Sequence, residues 1–177
     1  MTAGDRAMLI QLLEDTRLRF EIVVGAVPED QWQTAPKEEG WSPAEAAEHL
    51  VVTEQALATL IRTKLLSTDP VEPAPDPHKF DAIMLTRIPD RTPGKRRVEA
   101  PEWLRPKGLF STPPEALDAF RKARAETLAF VETTTDPLRN HKMPHPAFGD
   151  IDGCQWLIFL AAHTERHVRQ IEQCLLK

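Results

Sequence analysis

Cysteine is scarce in this chain, with two among 177 residues. Cys154 and Cys174 both fall in a final segment patterned as one helix, where twenty residues separate them by about 30 Å, beyond the reach of an intrachain disulfide. That excludes a disulfide-built secreted scaffold. Long apolar runs are missing too. The longest, Trp156 to Ala162, is much too short to span a bilayer. The first residues reach Asp5 and Arg6 before any apolar run and carry Glu14 and Asp15 soon after, which is not signal-peptide chemistry. A cytoplasmic protein with no membrane association is therefore expected. Nor is there an excess of positive charge. Lys and Arg total 22 against 27 Asp and Glu, giving −5 and a pI near 5.7. This argues against a dedicated nucleic-acid binder, whose docking face must be basic. The basic residues Arg87, Arg91, Lys95, Arg96, Arg97, Arg105 and Lys107 have Asp and Glu around them and read as a solvated loop. No internal repeat, β-strand alternation or phosphate-binding glycine loop is present.

What is there is globular: 41% hydrophobic and 28% charged residues. The length suits one domain, spanning residues 1–177, that buries about two-thirds of its unfolded surface. Four amphipathic segments alternate with Pro-containing connections. The first runs from about Asp5 to Gly25, with Leu9, Leu13, Thr16, Phe20 and Val23 at helical spacing. Trp32 and Trp41 follow and are expected to cap one end of a bundle. Ser42-Pro43-Ala44-Glu45 is a strong start signal for the second helix: a cap, a proline at the first helical position, and a glutamate completing a capping box. Its apolar face continues through Leu50, Thr53, Leu57 and Ile61 to Leu65. Thr112-Pro113-Pro114-Glu115 repeats the signal and opens the third helix, which Asp136-Pro137 ends. The fourth starts near Asp152. The expected fold is all-α, a four-helix bundle.

Ten of the sixteen prolines lie between Pro70 and Pro114. The insertion from about residue 67 to 112 is therefore mostly extended, with one short helix at Phe80, Ile83, Met84 and Ile88. Such a long connection lets the second and third helices run parallel. Phe80, Met84, Trp103, Leu104, Leu109 and Phe110 are apolar anchors, and the segment from about 70 to 110 is expected to pack over the bundle near its site.

The site is read from histidines. His163 and His167 stand at i, i+4 in His163-Thr-Glu-Arg-His167, on a stripe with Trp156, Leu160 and Ile171 that faces the core. Two buried imidazoles without partners are costly. His49, three residues after Ala46 and four before Thr53, also points inward and supplies a third ring. Three neutral imidazoles hold a divalent metal with coordination positions left open. Other metal architectures fit poorly. A zincin requires Glu where Thr164 stands, Glu165 lies about 200° round the helix from His163, and Glu-x-x-His is lacking. Glu45, one turn before His49, is the candidate catalytic base, with helix capping its competing role. Gln170 is placed to orient a ligand, and His145 to approach from its loop.

Three stretches carry a resemblance: Trp41-Ser-Pro-Ala-Glu45-Ala-Ala-Glu-His49-Leu50, His145-Pro-Ala-Phe-Gly149, and Trp156 through His163-Thr-Glu-Arg-His167 to Ile171. In these, and in helix order, the chain resembles the DinB-like superfamily of small bacterial metal-binding bundles. The resemblance implies His49, His163 and His167 as ligands of zinc or nickel, and a homodimer. It also implies kinship with enzymes that transfer or isomerise small molecules using low-molecular-weight thiols. Two functions are expected from it: a metal-dependent thiol transferase, isomerase or hydrolase acting on a small molecule, or a non-catalytic metal-binding dimer with a binding or stress-response role. The long Pro-rich loop departs from the compact family pattern.

Overall fold

The computed structural model describes residues 1–36, 40–92 and 99–175. Its helices are α1 (Ala3–Gly25), α2 (Glu29–Trp32), α3 (Pro43–Thr63), α4 (Pro77–Arg87), α5 (Pro113–Thr133) and α6 (Gly153–Leu175). The long helices α1, α3, α5 and α6 form a four-helix bundle. Each start follows its local chemistry. Ser42 accepts the Glu45 N–H while Glu45 accepts the Ser42 N–H, and Pro43 occupies the first turn, where no donor is needed. Thr2 and Asp5 do the same for α1, and Asp152 and Gln155 exchange N–H bonds of 2.9 and 3.0 Å at the head of α6.

Around the bundle, α1 and α3 each pack against both α5 and α6. Contacts fix the directions. Glu48 binds the backbone just before α5, and Glu54 pairs with Arg124, so α3 and α5 run the same way. His49 meets His163 while Leu65 lies beside Gly153, so α6 runs against them. Gly153 marks a close approach: a Cβ there would stand 2.9 Å from the Leu138 carbonyl oxygen. One apolar cluster gathers Leu9, Leu13, Ile61, Leu65, Met84 and Leu157 towards the α6 start, and a second gathers Phe20, Val24, Trp32, Leu50, Phe120 and Ile171 at the other end.

Three features depart from the sequence reading. A two-stranded antiparallel hairpin, β1 (Lys142–His145) and β2 (Gly149–Asp152), precedes α6, so the fold is mostly rather than wholly helical. Four-residue strands are too short to show alternation, and the turn between them rests on Gly149 at φ 68°. The single turn α2 was not expected. Among the loop anchors, Met84 and Leu104 are buried, but Trp103 and Leu109 are exposed. Lys95, Arg96 and Arg97 lie outside the described residues. No described helix is long and apolar enough to cross a membrane.

Candidate metal centre

His49 stands in the second turn of α3, and His163 and His167 lie one turn apart on α6. The antiparallel packing of those helices brings the three rings together, with the Nε2 of His163 3.3 Å from that of His49 and 3.1 Å from that of His167. Three nitrogens each 2.0–2.1 Å from one ion stand about 2.9 Å apart at right angles and about 3.4 Å apart in a tetrahedron. The observed spacings fall in that interval.

The far sides of two rings decide which nitrogen faces inward. His49 Nδ1 lies 2.8 Å from the Leu104 carbonyl, which can only accept, so the proton is on Nδ1 and Nε2 keeps its lone pair. His167 Nδ1 lies 2.9 Å from Gln170 Oε1. Arg91 donates to the same oxygen at 3.2 Å, fixing the amide orientation, so His167 likewise donates through Nδ1. Two lone pairs therefore converge on His163 Nε2. A proton on that atom satisfies only one of them, whereas a cation satisfies all three nitrogens. The donor set fits a divalent metal of the imidazole-binding kind.

Burial keeps the rings neutral. It lowers the pKa of His49 below its ordinary value, partly countered by the Leu104 hydrogen bond. Burial lowers His163 and His167 much further, with repulsion from the other histidines and Arg166 adding to it. Trp41 covers the centre, 4.6 Å from His49 and stacked 5.7 Å from His167, while Phe159 stacks on His163 at 5.1 Å.

The remaining candidates have partners of their own. Glu45 Oε2 accepts the Ser42 N–H at 2.8 Å, one turn before His49. Glu165 pairs with Arg19 and Arg169 on another face. His78 pairs with Asp81, and His141 binds the Thr68 carbonyl. His145 lies one ring away, 4.6 Å from Phe159, and accepts the Ala147 N–H through Nδ1. Burial lowers its pKa to about 4. The Leu104 carbonyl has no signature in sequence because it is a main-chain atom. On the same two helices, Thr53 Oγ1 and Trp156 Nε1 are buried with no hydrogen-bond partner among the described residues.

Comparison with known proteins agrees with this architecture. The four-helix bundle protein TT2238 superposes with a TM-score of 0.58 at 20% identity, covering 94% of this chain and 96% of that one. YfiT from Bacillus subtilis, described as a probable metal-dependent hydrolase with an unusual four-helix bundle topology, superposes with a TM-score of 0.63 at 19% identity, covering 98% of this chain and 87% of YfiT. No curated protein is similar enough to count as a relative. The DinB superfamily pattern matches residues 12–171, a span that takes in all three histidines, and the chain belongs to that superfamily.

Proposed function

We propose that the protein binds one zinc or nickel ion through His49, His163 and His167 and acts on a small molecule as a metal-dependent thiol transferase, isomerase or hydrolase. The convergence of three Nε2 atoms, two of them with the Nδ1 proton locked away, carries this reading. YfiT's description as a probable metal-dependent hydrolase supports the last of the three reactions. When bound, the ion supplies a Lewis acid that lowers the pKa of a water or thiol at an open position.

The chain's own residues hold and enclose. Leu104 and Gln170 keep two ring protons away from the centre, and Trp41 and Phe159 exclude water from the imidazole faces. Glu45 anchors the start of α3 one turn before His49. Thr53, one turn after His49, would offer a buried hydroxyl to a polar ligand: seven other helical threonines, Thr16, Thr59, Thr63, Thr86, Thr127, Thr133 and Thr164, donate to the carbonyl four residues back, and Thr53 does not. A homodimer stays part of the reading. The helix-one stripe is used within the chain's own core, which leaves the exposed Leu18 and Ile22 as the α1 surface available to it.

Elemental analysis of untagged protein, followed by assay against thiol acceptors and esters or amides in the presence of low-molecular-weight thiols, tests the proposal. Near-stoichiometric zinc or nickel with turnover is expected. Protein that takes up neither ion overturns the site, and stoichiometric metal without turnover assigns the non-catalytic binding role instead. Light scattering at micromolar concentration tests the dimer, which a monomeric mass would sink.

A further inference from the structure

Glu48 immediately precedes His49 and is 2% exposed. A buried carboxylate must be compensated. Among the described residues no cation pairs with it; three backbone donors compensate it instead. Oε1 accepts the Lys107 N–H at 2.5 Å, and Oε2 accepts those of Gly108 and Leu109 at 2.9 and 2.8 Å. Gly108 sits at φ 81°, and this left-handed residue turns successive N–H groups to one side, the geometry of a backbone anion nest. The same stretch of loop, three residues earlier, gives its Leu104 carbonyl to His49 Nδ1. Neighbouring residues of α3 thus hold both ends of segment 104–109, one through a carboxylate and one through an imidazole.

We propose that Glu48 is a positioning residue for the metal centre: by clamping residues 107–109 it holds the Leu104 carbonyl on His49 and so fixes the ring with its Nε2 lone pair facing His163. The inference rests on the metal reading for its purpose, but the clamp and the tautomer exist without an ion. Glu48 is not itself a ligand: its oxygens face the nest, and the cluster able to hold an ion is His49, His163 and His167. The Pro-rich connection is then part of the site's supporting shell. Such outer partners of ligating histidines typically contribute about 10- to 100-fold in metal affinity.

The test compares wild type with Glu48→Gln, which keeps the shape but places a donor amide against backbone donors. Cobalt(II) is the probe, titrated by its visible spectrum, and ring 15N shifts report the His49 tautomer in metal-free protein. Cobalt affinity about 10- to 100-fold weaker, an altered cobalt spectrum and a mixed His49 tautomer are expected. Thr2→Ala, which removes the α1 cap at the other end of the bundle from the three clustered histidines, controls for general destabilisation and is expected to leave all three readouts unchanged. Should Glu48→Gln not fold, Gly108→Ala strains the same nest from the loop side and is expected to shift the same readouts in the same direction. Unchanged affinity, spectrum and tautomer in a folded clamp variant overturn the proposal while leaving the metal site intact. Wild-type protein that binds neither cobalt nor zinc overturns the metal reading, and the 15N shifts alone then decide whether Glu48 sets the ring.

Discussion

Arg124 meets Glu54 at the centre of the bundle in two parallel hydrogen bonds of 2.8 and 3.0 Å, with both side chains essentially inaccessible to solvent. The same guanidinium binds the Leu13 carbonyl and Thr16 on α1 and Thr164 on α6, so one side chain from α5 ties all four long helices. Thr164 is the residue after His163, which couples this polar layer to the α6 histidine register. Removing one partner of such a pair leaves an uncompensated buried charge. Arg124→Ala is expected to lower stability by about 3–5 kcal/mol in urea denaturation, whereas a paired Glu54→Leu/Arg124→Leu change should recover much of that loss. Equal losses in the single and double variants would contradict this.

Glu45 separates capping from catalysis. Gln can accept the Ser42 N–H as Glu does, so Glu45→Gln should change the unfolding midpoint little, while Glu45→Ala should cost about 1 kcal/mol. If the carboxylate only caps, Glu45→Gln also retains metal and turnover. A large fall in turnover with metal content intact would make Glu45 the base instead.

Thr53 carries a buried hydroxyl with no partner among the described residues. Thr53→Val removes that group at nearly constant volume, so metal-free protein should gain about 1 kcal/mol of stability. A loss of stability on thermal or chemical denaturation would show that the hydroxyl is satisfied within the folded chain. A gain accompanied by weaker substrate binding is the pattern of a site that trades stability for function.

Asp5 sets an acid limit at the opposite end of the bundle from His49, His163 and His167. It shares Arg139 with Asp81 and Asp152, all of them buried. Burial alone would raise the Asp5 pKa, but the hydrogen bonds from Arg139 and Thr2 outweigh it and hold the carboxyl at about 2. A depressed folded-state pKa contributes stability that is present above the unfolded value near 4 and is lost as pH falls towards 2. Asp152 acts in the opposite sense, because burial raises its pKa, so its penalty is relieved on acidification. The stability difference between wild type and Asp5→Asn should therefore be constant above pH 5 and shrink between about 4 and 2. A difference independent of pH would refute the assignment.

The helix starts were legible because each is a contiguous signal. Ser42-Pro43-Ala44-Glu45 and Thr112-Pro113-Pro114-Glu115 state cap, proline and capping glutamate within four residues, and the backbone obeys. The inward histidines were legible for the same reason, since spacing of four on α6 and an apolar frame around His49 are local facts. The hairpin at 142–152 was not, because four residues a strand give no period to read.

Sequence by itself determined which segments become helices, which faces turn inward, and which three side chains are chemically suited to a divalent ion. Tertiary structure alone decided that His49 and His163, 114 positions apart, bring their nitrogens within 3.3 Å, and that a backbone carbonyl at Leu104 selects the tautomer. The division has a physical cause. Periodicity and capping act over one or two turns and leave their mark in neighbouring residues. Ring orientation depends on main-chain atoms of a distant loop, held by the Glu48 clamp, and every residue type except proline offers the same amide and carbonyl there.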